Sequence, residues 1–414
     1  MRTFLTALAV LLATGSGAAA EAPPLVDAAR HADAAAVRAL LDGGADAAAA
    51  ALDGTTALHW ASYRDAADAA ELLLGAGADA NAATDLGVTP LWLACENGNA
   101  AMVGRLLRAG ADPNRALLAG ETPVMVAARG GYPEVVELLA DAGADLNARS
   151  ARGQTALMWA AGQRRNGAVA ALLAHGADAH ARSDVWSQVM AVPPHARPEN
   201  SREIPHGGNT ALMFAARAGD AASVQLLVAA GADVDAADAW GVSALALAAH
   251  AGHRDVAEAL LAAGADASAA GAGFAPLHAA VMHRDQRLVA ALLEQGADPD
   301  ARVRNWTPTR RASRDYHFPP ALVGATPFWL AARYREPGIM RLLARHGADP
   351  LFVHRVDYLP SRSSKRRHEA RTALLAATDV GGGRMARGWV PPASDDIEAR
   401  MLATVKLALQ LGVD

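Results

Sequence analysis

Residues 89–121 read TPLWLACENGNAAMVGRLLRAGADPNRALLAGE and contain one complete structural unit. Thr89 is a residue type that caps helix N-termini, and Pro90 suits the first turn of a helix because its fixed φ is already helical. Leu91 and Ala94 then fall on the same face, three residues apart. The stretch therefore predicts a short helix that begins directly after the threonine.

A second helix follows in the same stretch. The sequence Asn-Gly-Asn at 97–99 interrupts the first helix, and Met102 to Arg108 forms the next one, with Leu106 and Leu107 as its apolar anchors. Gly110 supplies a left-handed C-cap. Neither helix is long enough to be stable alone, so we expect neighbouring units to stack and bury the leucine pairs in one continuous core.

This unit recurs along the chain with a period near 33 residues, which is typical of stacked supersecondary units. The tripeptide Gly-Ala-Asp begins at Gly44, Gly77, Gly110, Gly143, Gly176, Gly231, Gly264, Gly296 and Gly347, and a variant begins at Gly412. A second marker, the residue before the first helix, keeps the same register. It is threonine at Thr56, Thr89, Thr122, Thr155, Thr210, Thr326 and Thr372, and is replaced by Ser243 and Ala275 in two repeats.

With motifs such as TALHWA at Thr56, TPLWLA at Thr89 and TPFWLA at Thr326, the chain resembles the ankyrin-repeat family from about residue 24 to residue 414. The resemblance implies an all-α solenoid of about ten helix-turn-helix units with hairpin loops. We place the ten repeats at about 24–52, 53–85, 86–118, 119–151, 152–206, 207–239, 240–271, 272–322, 323–368 and 369–414.

The repeat departs from the family pattern at one informative position. The histidine of the first helix is present only at His59 and His278, and elsewhere the position is apolar, so we interpret both histidines as structural. Tryptophans of the first helices, such as Trp92, are expected in the core or lining a groove. The single cysteine, Cys95, lies in an apolar helical stretch and is interpreted as a small buried hydrophobe.

The first twenty residues predict an export signal. Arg2 precedes an apolar run from Phe4 to Ala13, and Ala18-Ala19-Ala20 matches a small-residue cleavage site, so we expect cleavage after Ala20. No later segment is long and apolar enough to predict an integral membrane span. The sequence therefore predicts a periplasmic or secreted protein. Its net charge of −5 gives no general attraction to nucleic acid.

The period is interrupted three times in the C-terminal half. The spacing between glycine markers grows to 55, 51 and 65 residues, and the threonine markers place most of the added residues in three enlarged loops at 179–209, 299–325 and 350–371. A further insertion at 379–397 separates the two helices of the tenth repeat. Insertions on one face of a solenoid often mark its binding face, although surface loops also grow without acquiring a role.

The composition of the enlarged loops favours binding. Two of them are basic, with net charges of +3 for 299–325 and +4 for 350–371, which leaves −12 for the remaining chain. Aromatic residues and arginine are enriched at interaction hot spots. The candidate partner-binding residues are Trp186, Trp240, Trp306, Arg310, Arg311, Tyr316, Phe318, Tyr358 and Arg366.

No motif predicts catalysis, a cofactor or a metal centre; His195 and His206 share one insertion but form only a weak metal-site candidate. We therefore predict a non-catalytic, monomeric scaffold that binds a protein partner through its concave face and enlarged loops. Two alternatives stay open: a factor that protects the cell envelope by binding an anionic polymer or surface, and an enzyme with its site in the insertions.

Overall fold

The predicted helix boundaries are set by the repeated threonines and glycines. The Oγ1 of Thr89 accepts a hydrogen bond from the backbone N–H of Trp92 (3.1 Å), and Thr155, Thr210, Ser243 and Thr326 cap their helices in the same way. Gly98 ends the first helix in the left-handed conformation (φ 73°), and Gly110 follows the second with φ 87°. Both conformations favour a residue without a Cβ.

The structure, a computed structural model, describes residues 22–191, 201–306, 318–358, 367–378 and 396–414. In this part of the chain, twenty α-helices form ten consecutive pairs, which confirms the predicted solenoid fold. The pairs are α1 Pro24–Arg30 and α2 Ala34–Asp42; α3 Ala57–Tyr63 and α4 Ala67–Gly75; α5 Pro90–Asn97 and α6 Ala100–Arg108; α7 Pro123–Gly130 and α8 Pro133–Asp141; α9 Ala156–Gly162 and α10 Asn166–Ala174; α11 Ala211–Ala218 and α12 Ala221–Ala229; α13 Ala244–Ala251 and α14 Arg254–Ala262; α15 Pro276–Met282 and α16 Gln286–Glu294; α17 Pro327–Arg333 and α18 Pro337–Arg345; α19 Ala373–Thr378 and α20 Ile397–Gln410.

The chain divides into two compact units. The N-terminal unit comprises the residues up to 151 together with 174–177, and the C-terminal unit comprises 152–173 and 178–414. Within the N-terminal unit, the first helices α1, α3, α5 and α7 pack in sequence order. Within the C-terminal unit, α9, α11, α13, α15, α17 and α19 do the same. Each unit is therefore a stack of helix pairs.

The core of each stack is built from alanine and leucine. Leu106 is fully buried, as are Leu91 and Ala94 of the preceding helix, while Leu107 is only half-buried. Alanine at so many buried positions lets neighbouring helices approach closely. Cys95 is also fully buried, and burial raises the pKa of its thiol well above the usual range, so it remains a neutral apolar side chain, as predicted.

Neighbouring helix pairs are joined by buried side chains that bond to the backbone. The Nδ1 of His59 accepts from the N–H of Thr56 (3.1 Å), while its Nε2 donates to the carbonyl O of Val88 in the next repeat (2.9 Å). His278 makes the equivalent bonds in the C-terminal unit. Both rings are therefore structural, as predicted.

Two of the enlarged loops contain antiparallel β-hairpins. Strands β1 (Trp186–Ala191) and β2 (Ser201–His206) pair in the first loop, and β3 (His354–Tyr358) and β4 (Arg367–Arg371) pair in the third. The second loop contains a short 3₁₀ helix, Pro320–Leu322. The predicted export signal and most of the insertion at 379–397 lie outside the described residues.

Candidate functional site

The β1–β2 hairpin presents an aromatic side chain on a fixed base. Trp186 and His206 are cross-strand partners, and their rings stack with centroids 4.5 Å apart. On the same face, Ile204 lies opposite Gln188 and is buried, so this part of the hairpin packs against the body of the unit. Trp186 itself remains 38% exposed.

Two arginines hold the hairpin in place. The guanidinium carbon of Arg152 lies 5.5 Å from the ring centroid of Trp186, and the carbonyl O of Arg152 accepts a hydrogen bond from the N–H of Asp184 (3.0 Å). Arg182 donates from Nη1 to the carbonyl O of Gly208 (3.2 Å) and of Ala237 (2.7 Å). The ring of Trp186 therefore contacts both a cation and a stacked aromatic ring.

A row of half-buried apolar side chains crosses the first helices of the same unit. Trp159, Phe214 and Leu247 occupy equivalent positions in α9, α11 and α13, each directly after a buried residue. We call these three residues the first-helix row. Arg217, three residues after Phe214, donates to Oδ1 of Asn209 at the base of the hairpin (3.4 Å). This bond ties α11 to the segment that closes the hairpin, since the carbonyl O of Asn209 accepts from the N–H of Ser183 (2.9 Å).

Phe318, a predicted partner-binding residue, is part of the core. Its ring lies 4.9 Å from that of Phe274 and meets His278 edge-on at 6.1 Å, and its side chain is fully buried. The prediction that Phe318 forms a contact surface is therefore wrong for this structure, because the ring fills a space between the second enlarged loop and α15. Trp306, in the same loop, is half-buried.

Tyr358 is also buried rather than presented to a partner. Its hydroxyl donates to Oε1 of Glu369 (3.1 Å) on the facing strand, and Arg371 lies 3.2 Å from the other oxygen of that carboxylate. Burial, followed by the Glu369 charge, raises the pKa of Tyr358. The prediction for Tyr358 is corrected in the same way as that for Phe318, because its ring helps to hold the β3–β4 hairpin.

Family models match most of the chain. The model of ankyrin repeats (three copies) matches residues 25–116, 91–183, 194–270 and 212–303, and the single ankyrin-repeat model matches 323–355. The chain belongs to the ankyrin-repeat family. A search of curated proteins finds none that matches it. Ankyrin repeats are protein–protein interaction scaffolds, so the family assigns this chain that general role.

Part of this candidate site in the ankyrin-repeat protein was not predicted from the sequence. Arg152, His206 and Phe214 were not selected as binding residues, although Phe214 occupies the same repeat position as Trp60 and Trp159. This shared repeat position could have identified Phe214 as a candidate binding residue from the sequence. Trp240 is half-buried next to Asp238, whose Oδ1 accepts from the N–H of Trp240 (2.9 Å). The remaining predicted residues, Arg310, Arg311, Tyr316 and Arg366, lie outside the described part of the chain.

Among the described residues, no group of three His, Cys, Asp or Glu side chains is arranged to hold a metal ion. His206 stacks on Trp186, and His195 lies outside the described residues. Within the described ranges, no helix combines the length and the apolar character that crossing a membrane requires.

Proposed function

We propose that this protein is a non-catalytic scaffold that binds another protein through the β1–β2 hairpin and the first-helix row of its C-terminal unit. The observation that carries the proposal is the position of Trp186, which is contacted by Arg152 and His206 yet is partly open to solvent. A large aromatic side chain flanked by arginine is the composition of an interaction hot spot.

The hairpin also has the rigidity that such a site needs. Binding costs free energy when side chains and loops become ordered, and this cost is smaller when they are already held in place. The ring stack, the two backbone bonds of Arg182 and the buried Ile204 all fix the hairpin before a partner arrives. Trp159, Phe214 and Leu247 extend the apolar contact area beside it.

The binding test compares captured proteins. The full chain and two variants, Trp186→Ala and a chain whose hairpin is shortened to a tight turn, are used to capture proteins from the producing cells. Glu258→Ala, an exposed position on α14, is the matched control. We expect at least one protein to be captured by the parent and the control but reduced about tenfold by both hairpin variants. Unchanged capture by both variants contradicts the proposal.

We further propose that the scaffold works in the periplasm or outside the cell. The support is the apolar run between Arg2 and Ala18-Ala19-Ala20 in the sequence. The mass and N-terminal sequence of the protein isolated from cell fractions test this. An exported chain that begins at Glu21 is expected, and a full-length chain in the cytoplasm contradicts it.

The alternative role, binding of an anionic polymer, has one observation in its favour. Arg355 and Arg367 are exposed on the β3–β4 hairpin. Glu369 lies 3.8 Å from Arg367 and reduces the positive field there. Binding to heparin that weakens steeply as salt is raised, with no captured protein, would favour this alternative over the scaffold.

A further inference from the structure

The first residue of β3, His354, is buried where three elements of the C-terminal unit meet. Its exposed fraction is 1%. Its Nε2 lies 3.0 Å from the carbonyl O of Val323 in the second enlarged loop, and its ring lies 4.4 Å from that of Trp329 in α17. Because a carbonyl oxygen only accepts, Nε2 carries the proton of the neutral ring. The side chain therefore joins the β3–β4 hairpin to a loop and a helix.

A second bond attaches the same end of the hairpin. His354 and Arg371 are cross-strand partners, and the carbonyl O of Arg371 accepts from the indole N–H of Trp329 (3.1 Å). We call this bond and the bond from His354 to Val323 the hairpin anchor. Both bonds of the anchor involve one pair of facing residues at the base of the hairpin, so a shift of that pair weakens them together.

The other ring nitrogen of His354 has no acceptor nearby for a proton. Among the described residues, none makes a hydrogen bond to Nδ1, although this atom is buried. Protonation would place a buried donor without a partner on a ring that also becomes charged. The closed arrangement therefore favours the neutral ring over the charged one.

The charged groups that face His354 come from α17 and β4. Burial lowers the pKa of His354, and its backbone hydrogen bond opposes this shift. Among the charges, those of Arg333 on α17 and Arg371 on β4 lower the pKa further, whereas that of Glu369 raises it. Glu369 is shared with Arg371, which lies 3.2 Å from one of its oxygens. The described loop segment 318–325 contributes no charged side chain.

We propose that His354 is a pH-sensitive switch whose protonation releases the base of the β3–β4 hairpin from α17 and the second enlarged loop. Once released, the charged ring can donate both of its N–H groups to water. Release also breaks the bond to Trp329, which is 2% exposed in the closed state, and uncovers its ring beside Arg333. Acid thereby changes the surface that the C-terminal unit presents, at a place separate from the β1–β2 hairpin.

The direction of the pH dependence follows from the lowered pKa. The contribution of His354 to closure is complete above the ordinary value of 6.5 and is lost as the pH falls from there toward the pKa of the closed state. Between pH 7 and pH 5, a ring that binds a proton only after release favours the released state by about tenfold or more.

The test is hydrogen exchange of the full chain at pH 7 and pH 5, read by mass spectrometry and corrected for the pH dependence of intrinsic exchange. Residues 354–358 and 367–371 report on the hairpin, and α13 reports on the rest of the unit. His354→Gln cannot be protonated, yet its amide can still donate to a carbonyl. The matched control is His368→Gln on β4, since His368 is exposed and its Nδ1 lies 3.6 Å from Oδ2 of Asp357.

We expect exchange in the hairpin to accelerate about tenfold or more from pH 7 to pH 5 in the parent and in His368→Gln, but not in His354→Gln. Exchange in α13 should change less than exchange in the hairpin. Unchanged hairpin exchange in the parent, equal acceleration in α13, or the same acceleration in His354→Gln overturns the proposal. Acceleration that only His368→Gln removes also overturns it, because the response then belongs to the pair of His368 and Asp357.

A titration of the parent covers the case in which His354→Gln already opens the hairpin at pH 7. The imidazole of His354 and the backbone amides of β3 and β4 are followed by nuclear magnetic resonance as the pH is lowered. The proposal predicts one shared midpoint below pH 6.5. Hairpin amides that change at a different pH from the ring overturn it.

Discussion

Gly207 and Gly231 have almost the same left-handed backbone, with φ of 86° and 85°, but different surroundings. A Cβ on Gly231 would meet no described atom within 4 Å, whereas a Cβ on Gly207 would overlap the carbonyl O of Asp184. Alanine at Gly231 would therefore incur only the free-energy cost of the left-handed backbone. Alanine at Gly207 would incur that cost and the additional cost of steric overlap. Gly207 therefore fixes how tightly the base of the β1–β2 hairpin closes.

Replacing each glycine by alanine tests this distinction. Gly231→Ala should destabilise the protein by about 1 kcal/mol, because only the left-handed conformation is penalised. Gly207→Ala should cost about 3 kcal/mol or shift the hairpin, because backbone atoms must also move. Denaturant unfolding of both variants measures the difference, and equal costs would contradict the close approach at Gly207.

The buried leucines of the second helices stabilise the stack of helix pairs. Leu106→Asp should destabilise the N-terminal unit by about 4 kcal/mol or more, because it removes apolar packing and buries an unpaired charge. Leu118→Asp is the matched control, since the same substitution at that exposed tip buries no charge. Thermal melting compares them; a Leu106→Asp curve that coincides with the parent's would refute the core position.

Between elements, His278 joins α15 to the following loop. Its Nδ1 accepts from the N–H of Ala275 (3.0 Å) and its Nε2 donates to the carbonyl O of Ala301 (3.0 Å), an arrangement that requires a neutral ring. Burial lowers the pKa of His278 from 6.5 to about 4, although the backbone acceptors oppose that shift. The unfolded chain therefore binds a proton that the folded chain excludes.

This arrangement predicts loss of stability in acid. The contribution of His278 is complete above its unfolded pKa of 6.5, falls as pH decreases toward about 4, and then levels off. The total loss is roughly 3 kcal/mol. Denaturant unfolding between pH 7 and pH 4 should show a shallower pH dependence for His278→Gln than for the parent. Parallel curves for the two proteins would contradict this assignment.

A partly buried ion cluster attaches the last helix to the stack. Glu336, before α18, places Oε1 2.7 Å from Nη1 of Arg400 in α20 and 3.1 Å from Nε of Arg284. Burial raises the pKa of Glu336, and the charges of Arg400 and Arg284 oppose that shift. Removing the carboxylate would leave two partly buried guanidinium groups without this counterion.

Hydrogen exchange tests the attachment of α20. Glu336→Ala should weaken the local stability of residues 397–410 by about 3 kcal/mol, which faster amide exchange in that helix would report. Glu336→Gln keeps the size of the side chain and is expected to have a smaller effect. Exchange in α20 that is unchanged in Glu336→Ala would show that the cluster does not hold the helix.

The helix pairs could be predicted from the sequence because the same pattern recurs along the chain. Threonines, glycines and leucine pairs recur at the same repeat positions, so the pattern that predicts one helix pair predicts the others as well. Each insertion occurs only once in the chain, and its sequence does not indicate whether its aromatic side chains are buried or exposed. Phe318 turns inward because Phe274, 44 residues earlier in the chain, offers it a partner, and Tyr358 because Glu369 on the facing strand does so. The stack of Arg152 on Trp186 likewise depends on a tertiary contact that no local pattern encodes.

At the scale of the whole molecule, the two units differ in charge and in the surfaces they expose. Residues 22–151 carry a net charge of −9, whereas residues 152–414 carry +4 and contain the enlarged loops. In a repeat protein the stacked repeats form an extended scaffold, and function depends on the residues of a particular site rather than on the fold. The proposed role therefore rests on the residues that vary between repeats.

Site-specific photo-crosslinking in the producing cells tests the central claim most directly. A photoreactive phenylalanine analogue is placed at Trp186 or Phe214 in the proposed surface, and at Glu258 on α14 as the control. Positions 186 and 214 are expected to form an adduct with the same protein, and position 258 is expected not to. Adducts that form equally from position 258, or none from positions 186 and 214, would contradict it.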